Sequence, residues 1–328
     1  MREPLLKHLD WTIAATLCAA ALSTFAGSAA AQVVKVTPLG GLDGEFCAQD
    51  RALVFEDPNG TRLLYDPGHT VVGGADPRLG RIDVVLLSHM HNDHLGEAHI
   101  AAVGAGTCAK PEVTVPTPDS NVIDIALAKK AKIVTGSEMP AFFAARLKKN
   151  GADPADSMTV RFGGSVTVGG VKIATVSALH SNGVDPQFIG GAAGDAMKAA
   201  GVAGDVGPAT GYVLRFSNGL VAWLSGDTGI EADQERVVRD YYHARLAVMN
   251  MGDGLTTGPA EAAWVVDKLV RPASVIPSHA NEAGTVDGKV RPGSRTEAFI
   301  KAVHVPAHVP LSGKTMEFDA EGRCVRGC

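Results

Sequence analysis

The sequence predicts a layered α/β protein, and three observations predict it. Strand-like and helix-like segments alternate between residues 113 and 149. A strand-rich block opens each half of the chain, near Val33 and again near Thr159. Between them, residues 82–87 (IDVVLL) are apolar apart from Asp83 and rich in β-branched side chains, as in a strand covered on both faces. Alternating β and α units stack their apolar faces into layers around a sheet.

With 328 residues and 45 % hydrophobic content, the chain can bury one large core or two smaller ones. Its few aromatics and many Gly and Ala residues suit tight α/β packing rather than a fibre or a disordered chain. Residues 1–31 read as a signal peptide: Arg2 and Lys7 precede an apolar run over 11–26, and Gly27-Ser28-Ala29-Ala30-Ala31 ends in a small-x-small cleavage pattern. The expected mature start is Gln32, and the expected location is periplasmic or extracellular. An uncleaved anchor is the competing reading, but about sixteen apolar residues fall short of the roughly 20 that a span needs. Ala15-Thr16-Leu17 before Cys18 does not look like a lipoprotein box.

Cleavage would remove Arg2 and Lys7 together with Glu3 and Asp10, so the formal charge stays at −5. A mildly acidic chain without a basic run argues against a nucleic-acid partner. The expected partner is a small-molecule substrate, with no membrane contact after cleavage; the oligomeric state is not legible. Cys47, Cys108, Cys324 and Cys328 remain, an even number suited to an oxidising compartment. Cys324 and Cys328 can close a small loop, which leaves Cys47 with Cys108; four free thiols are the alternative.

From Gln32 an antiparallel meander is expected at 33–39, Ala52–Glu56 and Arg62–Tyr65, with a Pro58-Asn59-Gly60 turn. Asp66-Pro67-Gly68 reads as a closing turn and His69 as an exposed loop residue, with a place facing the mouth of the site as the alternative. After the 82–87 strand come a short helix at 96–103, a strand at 113–115, a helix at 121–131, a strand at Lys132–Thr135, and a helix at 140–149 between Pro140 and Asn150-Gly151. The second half has strands at 159–162, Ser165–Val168 and 171–179. A Gly- and Ala-rich connection at 184–209, helical at 193–200, reads as a lid or wall over the site, or as an insertion without a role. A hairpin at 212–216 and 220–224 turns at Ser217-Asn218-Gly219. Then follow a helix at 233–243, a strand at Leu246–Asn250, a helix at 258–270 with Pro259 near its start, a strand at 274–277 and a closing strand at 311–318. His304 and His308 fit no ligand position and read as surface residues.

The chemistry gathers where the 82–87 strand ends. His89, His91, Asp93 and His94 place three imidazoles and a carboxylate within six residues, a density typical of metal sites. Residues two apart on an extended segment point the same way, so His89 and His91 can close on one ion. Asp93 and His94, past the bend, can face a second. Two divalent ions about 3.5–4 Å apart can hold a shared hydroxide and polarise a carbonyl or phosphoryl oxygen. His180, Asp227 and His279 each follow a predicted strand, the same position as the cluster. Singly, the histidines would read as surface or structural residues and Asp227 as a helix cap; two imidazoles alone, however, leave a catalytic zinc short of its usual three protein ligands.

His89-Met90-His91-Asn92-Asp93-His94 resembles the H-x-H-x-D-H signature of the metallo-β-lactamase superfamily, and the resemblance extends over about residues 33–319. Within that superfamily, LLYDPG at 63–68, ALHSNG at 178–183, SGDTG at 225–229 and MGDGLTTGPAEAA at 251–263 with IPSH behind it resemble the ascorbate-phosphate-lactonase-like branch of metal-dependent hydrolases. The resemblance implies a four-layer αββα sandwich with two mixed sheets, in one domain over 32–328. It implies His89, His91 and His180 around one ion, Asp93, His94 and His279 around another, Asp227 bridging, and Asp66 beneath them orienting ligands. Zinc is the expected metal, with manganese or iron equally suited to His and Asp donors.

The implied reaction is hydrolysis by a metal-bound hydroxide, which Asp93 orients or deprotonates, on a lactone or other cyclic or small ester. Phosphoester hydrolysis is the second reading, although no Arg or Lys cluster accompanies the ligands. β-Lactam hydrolysis is disfavoured because β-lactamases of the superfamily generally lack an acid at the position of Asp227. A non-catalytic periplasmic metal-binding module is the remaining reading, and such a module would be expected to have lost some of the seven ligands.

Overall fold

Period-two burial along the strands builds two sheets and three cores. The structure, a computed structural model, describes Met1 and residues 32–328, so the signal-peptide reading lies outside the described residues. Leu53, Phe55, Leu63, Tyr65, Val84 and Leu86 point to one core, while Ala52, Val54, Leu64, Val85 and Leu87 between them point to another. In the second sheet Ala222, Leu224, Leu246 and Val248 share the first core, and Val221, Trp223, Ala247 and Met249 line a third. Every central strand is therefore apolar on both faces, as the unbroken run at 82–87 requires. Helices Asn121–Lys129 and Met139–Lys149 cover the outside of the first sheet, and Pro259–Trp264 and Arg295–Ala302 that of the second. These are the four layers of an αββα sandwich.

Strand direction puts the site where it is. In the eight-stranded sheet Arg62–Tyr65, Val84–Leu86, Lys132–Thr135 and Ser157–Thr159 run parallel, and Ala52–Glu56, Val34–Leu39, Met316–Phe318 and Cys324–Arg326 extend it antiparallel. In the six-stranded sheet Val221–Leu224, Leu246–Asn250 and Ser274–Ser278 are parallel, and Val171–Ala178 runs in the same sense, two antiparallel pairings away. Parallel strands end on one edge, and that shared edge carries Asp66, His89, His180, Asp227 and His279. The buried Tyr212 hydroxyl ties the sheets together just below it, 2.7 Å from the Leu87 carbonyl and 2.9 Å from that of Val134.

Several expected elements differ. The helix expected at 96–103 is instead the single turn Asn92–Leu95, stopped by Gly96 at φ 75°, followed by strand Ala98–Ile100. A Cβ at Gly96 would come within 2.5 Å of the Asn121 Cβ and 2.6 Å of the Gly68 carbonyl oxygen, so the chain can turn here only as glycine. The strand expected at 159–162 is Ser157–Thr159, because its parallel partner Lys132–Thr135 has no further residues to pair with. The helices expected at 233–243 and 258–270 include wide turns at Gln234–Arg239 and Val265–Val270. The closing strand is only Met316–Phe318, and sequence reading missed Cys324–Arg326 beside it. His308 is half-buried against Phe318 rather than on the surface. Cys47 is bonded to Cys108 and Cys324 to Cys328, the expected pairing.

The 184–209 connection is not a lid. Its short helix Pro186–Ile189 buries Phe188 against Phe142 on the outer helix, and Glu138 and Ser137 bond to the backbone at Val206 and Pro208. The apolar Val184 and Phe188 find their core there, away from the cleft. Among the described residues no helix is long and apolar enough to cross a membrane.

Candidate metal centre

The centre is built outward from Asp66. Its backbone, at φ 42°, turns the carboxylate under the 84–86 strand end. There Oδ1 accepts from the Ser88 N–H and Oδ2 from the Ser88 hydroxyl, both at 2.8 Å. The Ser88 oxygen in turn takes the Nδ1–H of His89 at 2.9 Å, and Asp66 Oδ2 takes that of His94 at 2.8 Å. Spending each Nδ1 on a proton leaves each Nε2 with a free lone pair, the form a metal ligand needs.

Those lone pairs converge. The Nε2 atoms of His89, His94 and His279 are buried without a hydrogen-bond partner. An orphaned buried acceptor ordinarily costs about 1–3 kcal/mol, and three in one pocket call for a shared electrophile. Asp227 Oδ2 stands at the middle: 2.9 Å from His279 Nε2, 3.4 Å from His94 Nε2, and 3.9 Å from those of His89 and His180. Asp93 Oδ2 is 3.2 Å from His279 Nε2 and 3.6 Å from His94 Nε2. His91, in the extended residue ahead of the helical turn, presents Nδ1 to His180 Nε2 at 3.3 Å. Three overlapping triads result: His89, His91 and His180; His89, His94 and Asp227; Asp93, His94 and His279. All seven expected residues meet here, and the donor set fits divalent cations.

Electrostatics divide the imidazoles. Burial, with His94 and the other imidazoles adding repulsion, drives His89 well below the usual histidine pKa. Burial and their neighbours likewise lower His91 and His180, so these imidazoles are neutral ligands. Burial also disfavours charge on His94, yet Asp227, Asp93 and Asp66 outweigh it and raise its pKa strongly. Burial pushes Asp93 and Asp227 up, but the histidines, with Arg51 at Asp93, pull both well below the usual carboxylate value. The pocket holds two carboxylates ionised and attracts positive charge.

Other groups escaped sequence reading. Arg51 is buried, and its Nε and one terminal nitrogen donate to Asp93 Oδ2 at 3.2 and 3.0 Å. The only sequence signal for it was a charged pair, Asp50-Arg51, just before an apolar strand. Asn281, at φ 55°, accepts from Arg51 at 2.6 Å. His69 is buried rather than exposed: Glu97 at 2.7 Å and Gln49 at 3.1 Å draw it inward, to the wall of the cleft. This cleft, about 600 Å³, opens over the centre between Gln49, His69, Ser181, Leu255 and Asn281.

A family model described as the beta-lactamase superfamily domain matches residues 49–279, and the chain belongs to the metallo-β-lactamase superfamily. Within it the chain is similar to metal-dependent hydrolases of the UPF0173 group. It is 28 % identical over 261 residues to one from Koribacter versatilis, covering 79 % of this chain and 91 % of that one. It is 30 % identical over 222 residues to one from Methanoregula boonei, covering 67 % and 75 %. Among solved structures, Igni18, a metallo hydrolase from Ignicoccus hospitalis, aligns with a TM-score of 0.57 at 20 % identity, over 88 % of this chain and 99 % of that one. The metallo-beta-lactamase fold protein YhfI from Bacillus subtilis aligns at 0.51 and 15 % identity, over 87 % and 99 %. The protein is a metal-dependent hydrolase.

Proposed function

We propose that the protein is an exported dinuclear hydrolase of neutral lactones or other small esters. His89, His91 and His180 would hold one ion and Asp93, His94 and His279 the other, with Asp227 available to both. The observation that carries this reading is the overlap of the triads through His89 and His94, which gathers seven donors, more than the three protein ligands and a water that one catalytic zinc takes. Two zinc, manganese or iron ions there would supply a water acidic enough to attack at neutral pH and a Lewis acid for the substrate oxygen. Asp93 is the carboxylate nearest the cleft, its side chain 30 % exposed against 5 % for Asp227, and it orients the attacking water or takes its proton.

The cleft favours an uncharged substrate. Gln49, Asn92, Ser181 and Asn281 offer hydrogen bonds without charge, and Leu255, 73 % exposed at the rim, offers apolar contact. Arg51, the one Arg among the described residues that line it, has its guanidinium turned to protein acceptors, so among those residues no free Arg or Lys faces a phosphate. This supports an ester over a phosphoester, as does the lactonase-like resemblance. Export rests on the character of residues 1–31, and the partners are small molecules rather than nucleic acid or membrane.

The test is residues 32–328 loaded with zinc or manganese and offered lactones, phosphodiesters and a chromogenic cephalosporin. The expected result is two ions per chain and the highest kcat/KM on a lactone. A higher kcat/KM on a phosphodiester or the cephalosporin overturns the ester reading, and a chain that binds no metal overturns the centre.

A further inference from the structure

We propose that Arg51 is the positioning residue of this centre, a group that aims the Asp93 carboxylate and braces the segment carrying His279 without meeting substrate. The proposal rests on the metal-centre reading above. Its first support is saturation. A guanidinium has five N–H bonds. In Arg51 one Nε–H and one terminal N–H go to Asp93 Oδ2, the second hydrogen on that nitrogen goes to Asn281 Oδ1, and the other terminal nitrogen donates to the carbonyls of Ala48 at 3.3 Å and Asp50 at 3.1 Å. With its side chain 2 % exposed, nothing is left over for a ligand in the cleft.

The second support is where those bonds lead. On one side Arg51 stands on a braced loop: buried Asp50 accepts from the N–H groups of Gly41 and Cys47 at 2.8 Å each, and Cys47 is bonded to Cys108. On the other side it joins two segments far apart in sequence, the one-turn helix that carries Asp93 and the strand end that carries His279 and Asn281. His279 and Asn281 both sit in the left-handed backbone region, at φ 56° and 55°, which is uncommon for residues other than glycine and gains from contacts that fix it, although Asn and His tolerate it better than most. The bond from Arg51 to Asn281 is one such hold. Asp93 and His279 belong to the same triad, so one buried cation sets the relative placement of two of its three members.

Burying a guanidinium is costly unless every donor is met and the counter-charge is close. Simple packing at this position would be served as well by an apolar side chain. The planar fork matters, because a lysine supplies the charge but cannot reach Asp93, Asn281 and two carbonyls at once.

The experiment compares the wild-type chain with Arg51→Met and Arg51→Lys, each loaded with cobalt(II). The readouts are the visible absorption of bound cobalt, the ions retained per chain, and kcat and KM on the best lactone of the panel. For Arg51→Met we expect an altered cobalt spectrum and a kcat lowered by about tenfold or more, with KM changed by less than about threefold. Arg51→Lys should recover part of the spectrum and part of kcat. A wild-type spectrum and kcat in Arg51→Met overturn the proposal, and so does a loss confined to KM, which would mean contact with substrate. Should Arg51→Met fail to fold, Arg51→Lys decides: full wild-type spectrum and kcat in that variant overturn the need for the fork. A wild-type chain that takes up no cobalt overturns the metal-centre reading, and the proposal with it.

Discussion

Asp227 is the side chain on which the centre turns, because among the described residues its Oδ2 is the one carboxylate oxygen within 4 Å of four imidazole nitrogens. Asp227→Ala should therefore lose at least one of two bound ions, by elemental analysis, together with turnover; two retained ions and full activity would refute the bridge. Asp66 acts at one remove, fixing the protonated nitrogen of His94 directly and that of His89 through Ser88. Asp66→Ala should weaken metal binding by about 10–100-fold, measured by competition with a chromogenic chelator. The seven residues that could ligate a metal were the readable ones, since His and Asp in a dense cluster, or alone after a strand, carry a chemical signature. Asp66 was reachable only through resemblance, because locally it is an Asp-Pro-Gly turn. Arg51 was not readable, and His69 was legible at the mouth of the site only as an alternative, because their burial depends on partners 42 and 28 residues away, Asp93 and Glu97.

Elements place these side chains, and small irregularities do much of the placing. Gly96 ends the one-turn helix by folding back on Gly68 and Asn121. Gly96→Ala, strained at φ 75° and crowded at 2.5 Å, should cost about 1–3 kcal/mol in urea unfolding and shift Asp93 and His94. The same local cause explains why the expected 96–103 helix does not form. The loop before the central strand depends on Asp76, which accepts from the N–H groups of Val72 and Arg78 and pairs with the Arg78 guanidinium. Burial raises the pKa of Asp76, but those bonds outweigh it and leave it below the ordinary aspartate value of 3.8. A carboxylate with a depressed folded-state pKa contributes stability that is present above its unfolded value and lost as pH falls through the folded one. The urea midpoint should therefore fall on acidification below 3.8, with a shallower fall in Asp76→Asn. Equal slopes in the two proteins would remove Asp76 from the explanation.

At the scale of the molecule, two sheets share one core, and the disulfide between Cys47 and Cys108 staples the cleft-lining loop at Ala48 and Gln49 to the neighbouring segment that carries Ala109. The bond spans 61 residues. Chain-entropy arguments for a loop that long give about 4 kcal/mol as the most it contributes to stability. Reduction, or Cys108→Ser, should lower the unfolding free energy by up to that amount. An unchanged urea midpoint under reductant would show that the staple carries no weight.

Read alone, the chain determined most of the central strands, the αββα class through its resemblance, and the ligand types, because periodicity, turn residues and metal-binding chemistry are written within a few neighbouring positions. Tertiary structure alone decided that five strands end on one edge, that Arg51 reaches across to Asn281, 230 residues away, and that the 184–209 connection packs on an outer helix instead of over the cleft. Those outcomes depend on which apolar faces meet and which buried donors must find acceptors, and both are settled only when distant segments come together.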